Sequence, residues 1–155
     1  MKLTIIHTGK TKFSYIEDVC DDYYNRIRKY LPINETITPE IKNSANLPVD
    51  LLKKKEGDQL LKIITPSDYL ILFDEKGDQY TSSSFANRLE KLFMTGKPVF
   101  FATGGAFGFS DEVYKRSNEK ISLSGMTFPH QLVRVLVAEQ IYRAITILKG
   151  EKYHH

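Results

Sequence analysis

The chain has 155 residues, 41% of them hydrophobic, a formal net charge of +3 and a single cysteine. A chain of this size reads as one domain, 1–155, burying roughly 68–70% of the surface its unfolded form exposes. Cys20 alone excludes an intramolecular disulfide, no Cys/His cluster has metal-ligand spacing, and no apolar run approaches the ~20 residues of a membrane span. The apolar run Leu3 to Ile6 is too short for a signal-peptide core, so a cytoplasmic protein without membrane contact is expected. The small positive charge permits an anionic partner such as RNA without requiring one.

Lys2 to His7 alternates weakly and predicts a first strand, closed by Thr8, Gly9, Lys10 and Thr11. A P-loop would need a glycine five positions before Gly9, where Thr4 stands. From Phe13 to Tyr30, apolar residues at Phe13, Ile16, Val19, Tyr23, Ile27 and Tyr30 recur every three or four positions and mark an amphipathic helix ended by Pro32. Cys20 lies there among Asp18, Asp21 and Asp22, which raise a thiol pKa and argue against a nucleophile. Glu35 to Ile41 contains Pro39 and predicts an edge or irregular strand. Asn43 to Pro48 is a loop, and Leu51 to Ile64 is a second helix whose Lys53, Lys54 and Lys55 form either a solvated face or a phosphate contact.

Tyr69 to Phe73 is a continuous apolar run, hence a strand covered on both faces, followed by a turn at Asp74 to Gly77. Ser84 to Thr95 is the third helix, with Gly96 at its end. Val99 to Thr103 is the next buried strand, stopped by Gly104 and Gly105, where the chain is expected to take positive φ and leave bare backbone for a ligand. Ser110 reads as the N-cap of a short helix through Ser117, with Asp111 and Glu112 in its first turn. Ile121 to Leu123 is a last strand, Ser124 to Pro129 a loop, and His130 to about Lys149 the final helix.

Strands and helices in strict alternation predict an α/β fold with a mostly parallel sheet and helices on both faces. In such sheets ligands sit outside the carboxyl ends of the strands, where the loops after Thr103 and Leu123 lie. The final helix carries apolar residues over well over half its circumference, including Leu132, Val133, Val135, Leu136, Ile147 and Leu148. Such a helix needs cover on both sides, which predicts a homodimer.

The turn Gly104 to Ser110, the segment Leu123 to His130 with Arg134, the run Glu139, Gln140, Tyr142, Arg143, Ala144 and the ending Tyr153, His154, His155 together resemble the RlmH family of ribosomal RNA methyltransferases, in the SPOUT superfamily. The resemblance covers the whole chain. It implies a SPOUT-type fold with a C-terminal trefoil knot and the use of S-adenosylmethionine without a metal. It further implies methylation of N3 of a pseudouridine in 23S ribosomal RNA on the assembled ribosome, by a homodimer. Mapped onto this sequence, the knotted loops that would hold the cofactor are Phe73, Gly104, Gly105 and Leu123, Ser124, Gly125, Met126, Thr127, Phe128.

An imide nitrogen must lose its proton before methylation, and His130 beside the cofactor loop is the first choice of base, with His154 second. The other reading of His130 is a helix-start residue bonding backbone. Arg134 and Arg143 read as phosphate or target-base contacts, or as ordinary ion pairs; Glu139 stands four residues before Arg143 in the favourable order for such a pair. Tyr153, His154 and His155 offer a stacking ring and hydrogen-bonding groups for RNA. Two other classes stay open: a nucleotide enzyme of Rossmann type, although Gly104, Gly105 and Gly108 do not fit G-x-G-x-x-G, and a basic RNA-binding module without catalysis.

Overall fold

The computed structural model describes residues 2–155. Chain order is β1 (Leu3–His7), α1 (Ser14–Ile27), β2 (Ile33–Ile37), a 3-10 turn at Ser44–Asn46, α2 (Val49–Leu61), β3 (Tyr69–Gln79), α3 (Ser82–Met94), β4 (Val99–Thr103), α4 (Asp111–Arg116), β5 (Glu119–Ser122) and α5 (His130–Leu148). The strands form one sheet in the order β2-β1-β4-β3-β5, and every pairing is parallel.

The alternation of side chains across each strand sorts the helices onto the two faces. Leu3, Ile5, Ile71, Phe73, Val99 and Phe101 point to one side and pack with α1, α3 and α5. Ile6, Leu70, Leu72 and Ala102 point to the other, against Leu60 of α2 and Val113 of α4. Strands buried on both faces read as unbroken apolar runs, which is why β3 and β4 were visible as such in the sequence.

Two elements depart from expectation. β3 does not turn at Asp74 but runs on to Gln79, because its pairing with β5 slips between Phe73 and Asp78 and resumes beyond the irregularity. Gly77 allows this: a Cβ there would stand 2.5 Å from the Ile121 backbone nitrogen. β2 ends before Pro39, at the sheet edge, and its last turn is held when the Gly9 N–H donates to Thr38 Oγ1 at 3.0 Å.

α5 buries Val137, Ala138, Ile141, Ala144 and Ile145 against the sheet and its flanking helices. Its other face is left open: Leu132 is 41% exposed, and Val133, Val135, Leu136, Ile147 and Leu148 are only partly covered. Phe13, Tyr15 and Val19 on or beside α1, the helix packed on α5, are exposed as well.

Candidate functional site

β1, β3 and β4 end in register, with His7 opposite Thr103 and Phe73 opposite Thr103 on the other side, so the loops that follow converge on one sheet edge. They enclose a cavity of about 410 Å³. Phe73, Gly104, Gly105, Leu123, Ser124, Met126, Thr127, Phe128 and His130 all line it. Gly125 belongs to the same loop but is not in the wall; a Cβ there would meet Gln79 Nε2 at 3.6 Å. An adjoining cavity of about 300 Å³ shares Phe73, Ser122, Leu123 and Phe128 and runs on to Tyr80 and Phe85.

The glycine turn works differently from the expectation of positive φ at Gly104 and Gly105. Only Gly108 takes that conformation here, at +78°, and it closes the turn by donating its N–H to the Gly105 carbonyl at 3.2 Å. Gly104 and Gly105 are needed for close approach instead. A Cβ on Gly104 would stand 3.2 Å from Gly108 Cα, and one on Gly105 would stand 2.8 Å from Glu56 Oε2. The far end is fastened as the sequence implied: Ser110 Oγ accepts from the Val113 N–H and caps α4.

The second loop is also internally braced. Ser122 Oγ donates to the Ser124 carbonyl at 2.8 Å, Ser124 Oγ accepts from the Met126 N–H at 3.0 Å, and Thr127 Oγ1 donates to Glu75 at 3.2 Å. Met126 is left 76% exposed and Phe107 54% exposed at the mouth. Tyr114 donates to Asp74 Oδ2 at 2.6 Å, and burial together with that carboxylate pushes its hydroxyl pKa up.

His130 opens α5 and stands in the cavity wall. Burial, then the charges of Arg134 and Lys12, hold its pKa below 6.5, so it is neutral at pH 7. Arg134, one turn on, faces inward at 1% exposure. Its guanidinium donates to Thr11 Oγ1 at 2.7 Å and to the Thr8 and Gly9 carbonyls at 2.8 and 2.9 Å. The expectation that Arg134 contacts phosphate or a target base, or makes an ordinary ion pair, does not match this geometry: Nη1 and Nη2 tie the turn after β1 to α5, and Nε, buried, has no hydrogen-bond partner among the described residues. Gln131 adds to the tie, accepting from the Lys12 N–H and donating to the Lys10 carbonyl.

Beneath lies His7, fully buried, with Nδ1 2.7 Å from Thr103 Oγ1 and Nε2 2.9 Å from the Tyr24 hydroxyl. Burial, reinforced by Arg134, pushes it down to about 3, so its 3.4 Å approach to Glu35 is a polar contact of a neutral ring rather than an ion pair. Cys20 is buried nearby, its thiol pushed up to about 12 mainly by burial, which bars nucleophilic chemistry there.

The tail is not a loose end. Tyr153 packs edge-on against Tyr142 with ring centroids 4.8 Å apart, donates to Glu139 at 3.1 Å and receives the Arg143 guanidinium 4.8 Å over its ring. Arg143 pairs with Glu139 at 2.5 Å, the ion pair that the spacing allowed, and lies 3.4 Å from His154 Nδ1. His154 and His155 are exposed. Within one chain the tail folds back along α5, so that Tyr153 meets Glu139, nine residues and about 14 Å along the helix from His130.

Sequence reading did not single out Glu56, Asp74, Glu75, Phe107 or Tyr114, all of which reach the sheet edge. Asp74 and Glu75 carried a signal in standing directly after an apolar run; Glu56 carried none. Lys53 of the basic run does line the cavity. Among the described residues no group of three His, Cys, Asp or Glu is placed to hold a metal ion, and no helix is long and apolar enough to cross a membrane.

A family model described as predicted SPOUT methyltransferase matches residues 1–154. A Parabacteroides distasonis protein named ribosomal RNA large subunit methyltransferase H is 48% identical over 156 residues, covering 100% of this chain and 99% of that one. Proteins of the same name from Cytophaga hutchinsonii and Bacteroides thetaiotaomicron are 47% and 41% identical, covering 100% of this chain and 100% and 99% of theirs.

Proposed function

The chain belongs to the SPOUT methyltransferase family, and from that premise we propose that it transfers a methyl group from S-adenosylmethionine to N3 of a pseudouridine in 23S ribosomal RNA on the assembled ribosome. The observation that carries the reading is the cavity walled by the loops after Phe73, Thr103 and Ser122. Its apolar residues Phe73, Leu123 and Phe128 suit the faces of an adenine. Gly104 and Gly105 bring main chain without side chains into the cavity wall. The residues present thus fit S-adenosylmethionine, and no metal is part of the proposal. The protein is taken as a single SPOUT domain whose loops form the trefoil knot, acting in the cytoplasm.

S-adenosylmethionine supplies an activated methyl group. The protein's share is orientation, which can be worth about 7–11 kcal/mol, together with accepting the imide proton. Ser124, Met126 and Thr127 present backbone groups of a braced loop, and Gly104 and Gly105 floor the cavity. His130, neutral and in the wall, is placed at the edge of the target base. Arg134 positions it indirectly, by fixing the turn after β1 to α5.

The open face of α5, with Leu132 and Leu136, is proposed to be covered by a second copy. A homodimer also brings the tail into play: along α5, Glu139, which Tyr153 contacts, lies about 14 Å and Arg143 about 20 Å from His130 of the same chain, and Tyr153, His154, His155 and Arg143 are proposed to serve RNA at the cavity of the partner.

Calorimetric titration with S-adenosylmethionine and NAD, followed by transfer of labelled methyl to unmodified ribosomes, tests the reading. Binding of the first alone, with label in 23S RNA, is expected. Binding of NAD alone favours the Rossmann class, and RNA binding with neither favours a module without catalysis.

A further inference from the structure

The Gly105–Phe107 segment and His130 are walls of two cavities, not one. Next to the first, and sharing those residues with it, lies a second space of about 360 Å³, bounded by Gly9 and Lys10 after β1, by Ile41 and Ala45 before α2, and by Glu56 on α2. The Glu56 carboxylate reaches it half-buried, has no hydrogen-bond or ion-pair partner among the described residues, and stands where a Cβ on Gly105 would lie 2.8 Å from Oε2. Lys10 and Lys12 flank the entrance, and the exposed Phe107 ring stands at the partition.

We propose that this second cavity receives the uridine-type base that is methylated, and that Glu56, rather than His130, is the catalytic base that takes its imide proton. The inference rests on the methyltransferase reading and specifies the acceptor side of the same centre. An imide edge presents one N–H between two carbonyls, so a bare carboxylate is its complement, whereas cytosine presents a lone pair at N3 and is repelled. The Phe107 ring offers a stacking face, and Lys10 and Lys12 offer charge to the flanking phosphates.

The step balances simply. The N3–H bond breaks and the proton passes to a Glu56 oxygen. The electron pair left on N3 then forms the bond to the methyl carbon as the carbon–sulfur bond of the donor breaks, its pair returning to sulfur. Burial raises the Glu56 pKa above 4.5 and so makes it a better base than a surface carboxylate. The titratable groups facing it are Lys10 and Lys12 from the turn after β1, Glu40 from the segment before α2, His130 from α5 and Lys53 from α2 itself.

The test compares wild type with Glu56→Gln and Glu56→Asp as full-length protein. With unmodified ribosomes, Glu56→Gln is expected to lower kcat at least a hundredfold with KM within about threefold, while Glu56→Asp keeps an intermediate rate. S-adenosylmethionine affinity and thermal midpoint are expected to stay close to wild type in both variants. Independently of turnover, the Gly105 amide resonance of the cofactor-free protein should titrate at mildly acid pH and lose that titration in Glu56→Gln. Pseudouridine monophosphate should shift the Lys10, Lys12 and Gly105 amides, and cytidine monophosphate should not. Full methyl transfer by Glu56→Gln, or nucleotide shifts confined to the Tyr80 side, overturns the inference and leaves the methyltransferase reading standing. If wild type neither binds S-adenosylmethionine nor transfers methyl, the underlying reading itself fails.

Discussion

Arg134 donates to Thr11 Oγ1 at 2.7 Å, joining the last helix to the turn after the first strand across 123 positions of sequence. With the Thr8 and Gly9 carbonyls also on its guanidinium, removal of the side chain leaves three buried acceptors without their donor. Arg134→Ala is therefore expected to lower stability by about 3 kcal/mol, read as the shift of the urea midpoint at constant slope. Arg134→Lys, lacking the planar fork, should recover only part of that. Unchanged stability with lost activity would instead make Arg134 a ligand contact.

The His7 ring gives stability a pH dependence of known sign. The unfolded chain takes up a proton near pH 6.5, which the folded chain refuses until about 3, so stability is lost as pH falls through that window. Between pH 7 and pH 5 the loss from this group comes to about 2 kcal/mol. His7→Gln, whatever its absolute stability, should lose about that much less over the same interval in paired urea titrations. Equal slopes in the two proteins would mean that the ring is protonated when folded.

Gly105 answers to Glu56. In Gly105→Val the branched side chain takes the place where the Glu56 carboxylate sits and displaces the loop that walls the first cavity. S-adenosylmethionine affinity should fall at least tenfold, about 1.4 kcal/mol, with the dimer still folded. Calorimetry alongside light scattering measures both, and undiminished affinity would move the cofactor away from this loop.

The elements legible in the sequence were those whose patterns come from local chemistry. β4 runs from Val99 to Thr103 as its apolar run predicts, α5 starts at His130 directly after Pro129, and Ser110 caps α4. What escaped were relations between segments far apart in the chain. The extension of β3 depends on a register slip against β5, which lies some 45 positions on and leaves no mark on residues 74–79. Arg134 has the composition of an RNA contact, and only the position of Thr8, Gly9 and Thr11 shows its side chain to be spent within the fold. Glu56 looks like one more charge on an amphipathic helix until Gly105 is placed over it.

The dimer proposal has a cleaner variant than a core substitution. Leu132 is 41% exposed in the single chain, so Leu132→Glu leaves folding almost untouched but places an unpaired charge at the proposed contact, a cost of several kcal/mol. Light scattering should give two subunits for wild type at micromolar concentration and one for the variant. A wild-type mass of one subunit would remove the second copy from the proposal.

Deleting Tyr153 to His155 separates binding from transfer. Tyr153 is held by Tyr142, Arg143 and hydrogen bonds to Glu139 and Tyr23, so its loss frees two hydrogen bonds and two ring contacts along the second half of α5. S-adenosylmethionine affinity in the shortened protein should stay within about twofold of wild type, because no tail residue lines the cavity of its own chain. Methyl transfer to unmodified ribosomes should nevertheless be lost, since His154 and His155 are exposed and are proposed to meet RNA at the partner's cavity. Tyr153→Phe is the companion variant: it keeps the ring contact and removes only the hydroxyl, so a partial rate is expected from it. Mixed dimers complete the test. A subunit without its tail but with an intact cavity, paired with one carrying Gly105→Val and an intact tail, should regain transfer at one site per dimer. No recovery in that mixture would mean that each tail serves its own chain.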